Sequence, residues 1–154
     1  MKAQIFTLLM IALLAVSCSA TKKTKQQAMD DTTDTTIIGS EWELAIFDGK
    51  PVSPAPNQQQ ATHFILQKDG KVMGFTGCNN FNGSYTLEEG KNIRFSKMAS
   101  TKKYCPDLPV EEYGFLQVFE QTDNYLVNGN TLMLNAANNA PLAIFTKSDK
   151  SATE

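Results

Sequence analysis

The side chain with the most chemistry to offer in this sequence is the Cys78 thiol, and the one imidazole available to serve it as a base is His63. A thiol becomes a nucleophile near neutral pH when a base or a positive field draws off its proton, so this pair frames a thiol-enzyme reading. Cys105 competes with it, because a second cysteine offers Cys78 a disulfide instead. With a single histidine in the chain, neither a HExxH site nor a zinc site with two or more histidines can be built. His63 sits in the strand-like run 62–67, where a structural or exposed role is the commoner one. The carboxylates fall in adjacent pairs. Glu88 and Glu89 occupy a turn and Glu111 and Glu112 a helix start, positions that suit solvated or capping roles better than acid and base work. Asp30, Asp31 and Asp34 lack the glycine and the distal glutamate of an EF-hand loop. There is no phosphate-cradling glycine loop and no GxSxG elbow. The sequence therefore assigns no catalytic residue, no cofactor and no metal.

What surrounds Cys78 is unusual in composition. Gly77-Cys78-Asn79-Asn80-Phe81-Asn82-Gly83 sets three asparagines and two glycines about one cysteine and one aromatic residue. Such residues accept left-handed backbone, as a tight turn or bulge requires, and Asn82-Gly83 is itself a turn signal. The expectation is a turn whose Asn79, Asn80 and Asn82 bond to backbone.

The N-terminus bears on which cysteine chemistry wins. Lys2 precedes the apolar run 5–16, too short for a membrane span, which needs about 20 apolar residues, and suited to a secretory signal core. Ala15-Val16-Ser17-Cys18 resembles the lipobox of bacterial lipoproteins, which implies a signal peptide over 1–17, acylation of Cys18 and attachment to a membrane through that anchor. An ordinary signal peptide cleaved near Ala20 is the alternative. Residues 18–36 hold almost no large apolar side chain and read as a disordered tether. A tether of that size has an end-to-end reach of about 25 Å. Its first charges are Lys22, Lys23 and Lys25. An acidic run directly after the cysteine accompanies surface display in some lipoproteins, so the lysines favour an outer-membrane domain facing the periplasm. An exported chain meets an oxidising compartment, which favours a Cys78–Cys105 disulfide over a free thiol. The net charge of −2 becomes −3 once residues 1–17 are removed, and with no dense basic patch the chain is a poor nucleic-acid binder.

The elements that must position these residues are mostly strands. Residues 41–47 alternate, with Trp42, Leu44 and Ile46 on one face. Residues 50–60, with Pro51, Pro54 and Pro56, read as an exposed loop. Runs 62–67 and 71–75 flank Lys68-Asp69-Gly70, and runs 84–87 and 92–96 flank Glu88-Glu89-Gly90, two successive hairpins. A helix is predicted over about 109–121, with Asp107 as N-cap and a stripe of Tyr113, Leu116 and Phe119 widened by Phe115 and Val118. Gly114 weakens it. Runs 124–127, 131–135 and 142–145 form a closing meander, and 148–154 a loose tail. The fold class expected is mainly β with one helix: a small antiparallel barrel or strongly curved meander sheet, with the helix covering an opening.

These residues carry a resemblance. Gly77-Cys78-Asn79-Asn80-Phe81-Asn82-Gly83-Ser84-Tyr85 resembles the GCN-aromatic-x-G-x-Y signature of the META domain family, of which HslJ-like heat-shock lipoproteins are members. Residues 98–106, ending at Cys105 and Pro106, are similar to the family's threonine-to-cysteine segment. Glu112 falls where the family has an acidic residue opening its helix, and 125–134 matches its closing strands. Asn80 stands where the family commonly has arginine, so no role for that basic group carries over. The resemblance covers 37–146 and implies a barrel-like fold of lipocalin-like architecture and an association with envelope stress. It implies no reaction.

The functional expectation is a non-enzymatic envelope lipoprotein whose monomeric domain, 37–147, binds an envelope protein or wall component in stress tolerance. A small-ligand carrier using the barrel interior and an inhibitor of an exogenous hydrolase are the alternatives. The interior is expected to be filled by Trp42, Phe64, Leu66, Phe95 and Leu134.

Overall fold

The computed structural model describes residues 37–148, apart from 57, 59 and 138–140. The signal-peptide, Cys18 and tether readings, and the tail beyond Ser148, lie outside the described residues. Alternation of apolar and polar side chains lays down β1 (Glu41–Phe47), β3 (His63–Leu66), β4 (Lys71–Phe75), β5 (Asn80–Glu88), β6 (Asn92–Ser100), β7 (Asn124–Asn128), β8 (Thr131–Asn135) and β9 (Pro141–Lys147). A two-residue strand, β2 (Lys50–Pro51), pairs with the end of β1 at the start of the stretch expected to be loop. One helix, α1 (Glu112–Gln121), separates β6 from β7.

Each of the eight longer strands runs antiparallel to its neighbours in the order β1-β3-β4-β5-β6-β7-β8-β9, and β9 returns to pair with β1. The sheet thus curls into a ring, with β2 as a spur. The ring is not a regular barrel, because β6 and β7 meet at a single register pair, Asn92 with Asn124. Helix α1 packs against β6 and β8. Ser148, read as the first residue of a loose tail, is instead tied down: its amide donates to the Glu41 carbonyl at 2.8 Å and its hydroxyl to the Glu43 carboxylate at 3.0 Å.

The inward faces fill the ring. Trp42, Phe64, Leu66, Val72, Phe81, Ile93, Tyr125, Leu132, Leu134 and Phe145 are buried, with Phe95 packed partly against them. The helix adds Phe115, Val118 and Phe119. The Phe119 ring lies 5.0–5.4 Å from those of Phe64, Phe81, Phe95 and Phe115, mostly edge to face, as the quadrupoles of aromatic rings prefer. Burying such a side chain contributes about 1.5–3 kcal/mol.

Four local expectations are corrected. The helix begins at Glu112, not near Pro109, and its cap is Glu111, whose carboxylate accepts from the Tyr113 and Gly114 amides. Asp107, expected as the cap, lies in the preceding loop with a left-handed φ of 60°. Val110, buried just before the cap, and buried Phe115 fit a hydrophobic staple that fixes the chain's entry into the helix. Tyr113 is largely exposed, so the buried stripe is Phe115, Val118 and Phe119. Gly114 has a packing reason to stand in the helix: a β-carbon there would lie 3.3 Å from the Phe47 ring and 3.2 Å from the capping carboxylate. Ile46 is only half-buried, because the β1–β9 register slips between Leu44 and Ile46. Asn82-Gly83 makes no turn. It lies within β5, opposite a bulge where Lys97 of β6 is the extra residue at φ 55°. Gly83 is required by close approach, since a β-carbon would collide with the Met98 sulfur and come within 3.3 Å of Val72.

Candidate functional site

Between β4 and β5 the chain turns through Thr76-Gly77-Cys78-Asn79. The Thr76 amide donates to the Asn79 carbonyl at 2.9 Å, and Gly77 takes the left-handed φ of 98° that the turn demands. The Thr76 hydroxyl accepts from the Asn79 amide at 2.9 Å and donates to Glu112 Oε2 at 3.0 Å. Thr62 donates its hydroxyl to the Thr76 carbonyl at 3.0 Å, fastening the turn to the start of β3. Thr62, Thr76 and Asn79 are all buried, so each of these polar groups needs its partner.

Asn79 uses its whole hydrogen-bonding capacity. Its Nδ2 donates to the Lys103 carbonyl at 3.1 Å and to Glu112 Oε2 at 2.6 Å, while Oδ1 accepts from the Lys103 amide and the Thr101 hydroxyl, both at 2.7 Å. A carboxamide offers two donors and two acceptor lone pairs, and all four are engaged. Glu112 collects three donors, with Ser100 donating to Oε1 at 3.2 Å beside the two bonds at Oε2. Cys78 and Cys105 form a disulfide, with Cα atoms 6.0 Å apart and a sequence separation of 27. The turn is therefore joined to the 101–105 segment by the bridge and the Asn79 amide, and to the helix start by Glu112.

The other motif residues divide by face. Phe81 points inward, 5.2 Å from Phe119 and 5.9 Å from Phe115, and its ring covers Gly74, where a β-carbon would strike it. Tyr85 donates its hydroxyl to the Gln67 carbonyl at 2.6 Å, and burial, with a smaller contribution from the charge of Asp69, pushes its pKa above the usual phenol value. Asn80 and Asn82 lie exposed on the outer face of β5, and neither side chain makes a hydrogen bond among the described residues. Of the three asparagines expected to hold the turn, Asn79 alone does so. His63 is no partner of the thiol: its Nδ1 is 2.8 Å from the Ala61 carbonyl and its Nε2 4.0 Å from Glu41. Glu112, read beforehand as a helix-start acid of capping or solvated type, is the hub of the network. Thr62 and Thr76 have no place among the expected site residues, and Ser100 and Thr101 enter only within the segment 98–106 that is similar to the family's threonine-to-cysteine stretch. Their signal was a hydroxyl residue directly before Gly-Cys-Asn and a Ser-Thr pair leading to Cys105.

An open groove of about 510 Å³ runs beside the disulfide, lined by Lys102, Tyr104, Leu108 and Val110 together with the residues of the network. Among the described residues no group of three histidine, cysteine, aspartate or glutamate side chains is placed to hold a metal. No helix among them is long and apolar enough to cross a membrane.

Comparison with known proteins agrees with this architecture. A solved NMR structure of a protein from Burkholderia xenovorans is similar, with a TM-score of 0.60 and 21% identity, covering 83% of this chain and 97% of that one. A second NMR structure gives 0.53 and 17%, covering 70% and 87%. At these identities the likeness concerns the fold. No curated protein matches. The family model for the META domain matches residues 35–149, which include the turn, the disulfide, the Glu112 hub and the closing strand, and the chain belongs to the META domain family.

Proposed function

We propose that this protein is a cell-envelope lipoprotein, acylated at Cys18 and facing the periplasm, whose META domain acts as a binding module and performs no chemistry. The observation that carries the non-catalytic part is the state of the polar groups at the family motif. Asn79 spends all four of its bonds internally, Glu112 holds three donors, and Cys78 is in a disulfide. Groups so engaged serve as a clasp, since a catalytic acid, base or nucleophile must be within reach of a substrate. The lipobox-like sequence before Cys18 and the polar stretch after it support the anchored placement. The ring interior is filled with side chains, which leaves the carrier reading without an observation in its favour.

The test is crosslinking of the full-length chain in the cells that make it, followed by identification of captured envelope proteins. The expected outcome is a reproducible set that disappears when residues 37–148 are replaced by an unrelated domain behind the same first 36 residues. Capture of the same set by the replacement chain refutes the reading. In parallel, labelling with an alkyne fatty acid should mark the wild-type chain and not Cys18→Ala.

A further inference from the structure

We infer that the outer face of β3, β4 and β5 binds an uncharged saccharide. The inference rests on the binding-module reading and names a site and a ligand class for it. A groove of about 340 Å³ lies on this face, within the size range of small-ligand sites. Its floor is set by the ladder. His63, Phe75 and Asn80 stand side by side across the three strands, and Ile65, Met73 and Asn82 form the next row. Rows two residues apart along strands rising about 3.4 Å per residue, on three strands about 4.8 Å apart, make a face of about 7 by 10 Å, the footprint of a disaccharide. Phe75, Ile65 and Met73 are its apolar part. Met73 is 44% exposed and is held in place by Gln67, whose Nε2 donates to the sulfur at 3.3 Å.

Asn80 and Asn82 are the residues that point to a ligand. Asparagine is depleted in strands, yet two stand on one face of β5, both exposed and neither side chain bonded among the described residues. A departure from local preference with no tertiary bond to offset it marks a functional surface. Each carboxamide offers two donors and two acceptor lone pairs. His63 adds an acceptor. The Ala61 carbonyl, 2.8 Å from Nδ1, can only accept, so Nδ1 carries the proton and Nε2 of the neutral ring presents a lone pair.

Other occupants fit this face less well. Among the described residues no aspartate, glutamate, lysine or arginine lines the groove, and Lys71, further along β4, is paired with Asp69 at 2.9 Å. Glu41 and Glu43 of β1, beyond His63, repel anions. Each of β3, β4 and β5 has a neighbouring strand on both sides, so no peptide strand can be added to them. The groove is open and partly polar, so an acyl chain would stay largely wet there. A pyranose ring matches what remains. Its C–H face covers Phe75 and Met73, while its hydroxyls exchange bonds with carboxamides that donate and accept at once.

The experiment is titration calorimetry of the full-length chain in detergent with soluble tetrasaccharides. The probes are the uncharged tetramers of N-acetylglucosamine and of glucose, the cationic glucosamine tetramer and the anionic galacturonate tetramer. The expected result is binding of at least one uncharged tetramer, severalfold or more tighter than either charged one and little changed by salt. Asn80→Ala with Asn82→Ala should weaken it about tenfold or more, and Met73→Ala severalfold. All three positions are exposed, so the variants should keep the wild-type thermal midpoint, which separates lost binding from lost folding. No binding of either uncharged tetramer, equal or tighter binding of a charged one, or undiminished binding by the double asparagine variant overturns the inference. The binding-module reading is tested separately by the crosslinked protein set. If that set persists while no tetramer binds, this inference falls and the reading stands.

Discussion

Replacing Asn79 by alanine should cost far more than its single side chain suggests. The carboxamide makes three bonds to neutral groups, the Thr101 hydroxyl and the Lys103 amide and carbonyl, and one to the Glu112 carboxylate. At about 1 kcal/mol for each neutral bond and about 2 kcal/mol for the charged one, the gross loss is about 5 kcal/mol. Thr101 and Lys103 are exposed, so the groups released on that side recover water, and the expected net loss is about 3 kcal/mol. Asn80→Ala and Asn82→Ala, which remove exposed side chains of the same motif, should stay within about 0.5 kcal/mol. Urea unfolding of the full-length chain under non-reducing conditions measures this, with Trp42 fluorescence as the probe. Trp42 is the chain's only tryptophan and is fully buried. A double-mutant cycle with Glu112→Gln should return a coupling of about 1–2 kcal/mol, because the Asn79 carboxamide and the Glu112 carboxylate are bonded directly to each other. A loss below about 1 kcal/mol for Asn79→Ala would refute the reasoning, since water would then be replacing the network at little cost.

Reducing the disulfide, or replacing both Cys78 and Cys105 by serine, should lower stability by about 3–4 kcal/mol from loop entropy over the 27 positions it spans, measured in the same unfolding assay. Gly74→Ala should cost about 2–3 kcal/mol, since the new carbon strikes the Phe81 ring and the His63 carbonyl. Gly129→Ala, which meets nothing within 4 Å and bears only the strain of a φ of 57°, should cost about 1 kcal/mol; comparison of thermal midpoints separates them. Tyr85 should ionise above the ordinary phenol value of 10.0 in an ultraviolet titration. The folded chain holds that proton while the unfolded chain releases it, so stability should fall as pH rises from 10.0 toward the folded value. Tyr85→Phe should remove that slope.

How much of this was legible in the sequence depended on how local the cause was. The turns at Lys68-Asp69-Gly70 and Glu88-Glu89-Gly90 could be read because glycine and its neighbours dictate chain reversal on their own. Asn82-Gly83 carries the same local signal and misleads, because Gly83 is glycine for a tertiary reason, the Met98 side chain lying across it. Tyr113 fits a three-residue apolar spacing, but helical faces advance by three and four, and Phe115, Val118 and Phe119 keep that rhythm. Closure of β9 on β1 left no mark in either strand, since pairing between the two ends of a domain has no local signature. The hub role of Glu112 was hidden for a like reason. Its three donors come from positions 12, 33 and 36 residues away, and a glutamate at a helix start is already explained by the helix dipole.

The pairing of the first long strand with the last also sets a timetable. The hydroxyl of Ser148 reaches the carboxylate of Glu43 across 105 positions, and Trp42 faces Lys147 in the ladder. A chain emerging from its N-terminal end can zip β3 to β6 as successive hairpins, but one edge of β1 stays unpaired until nearly the whole domain has appeared. Such long-range closure is slow, and an unpaired edge beside Trp42 and Leu44 is the kind of surface that recruits wrong partners. The ring is thus completed by the residues that arrive last, and a truncation that removed only β9 would leave β1 and β8 each with an open edge instead of merely shortening the domain.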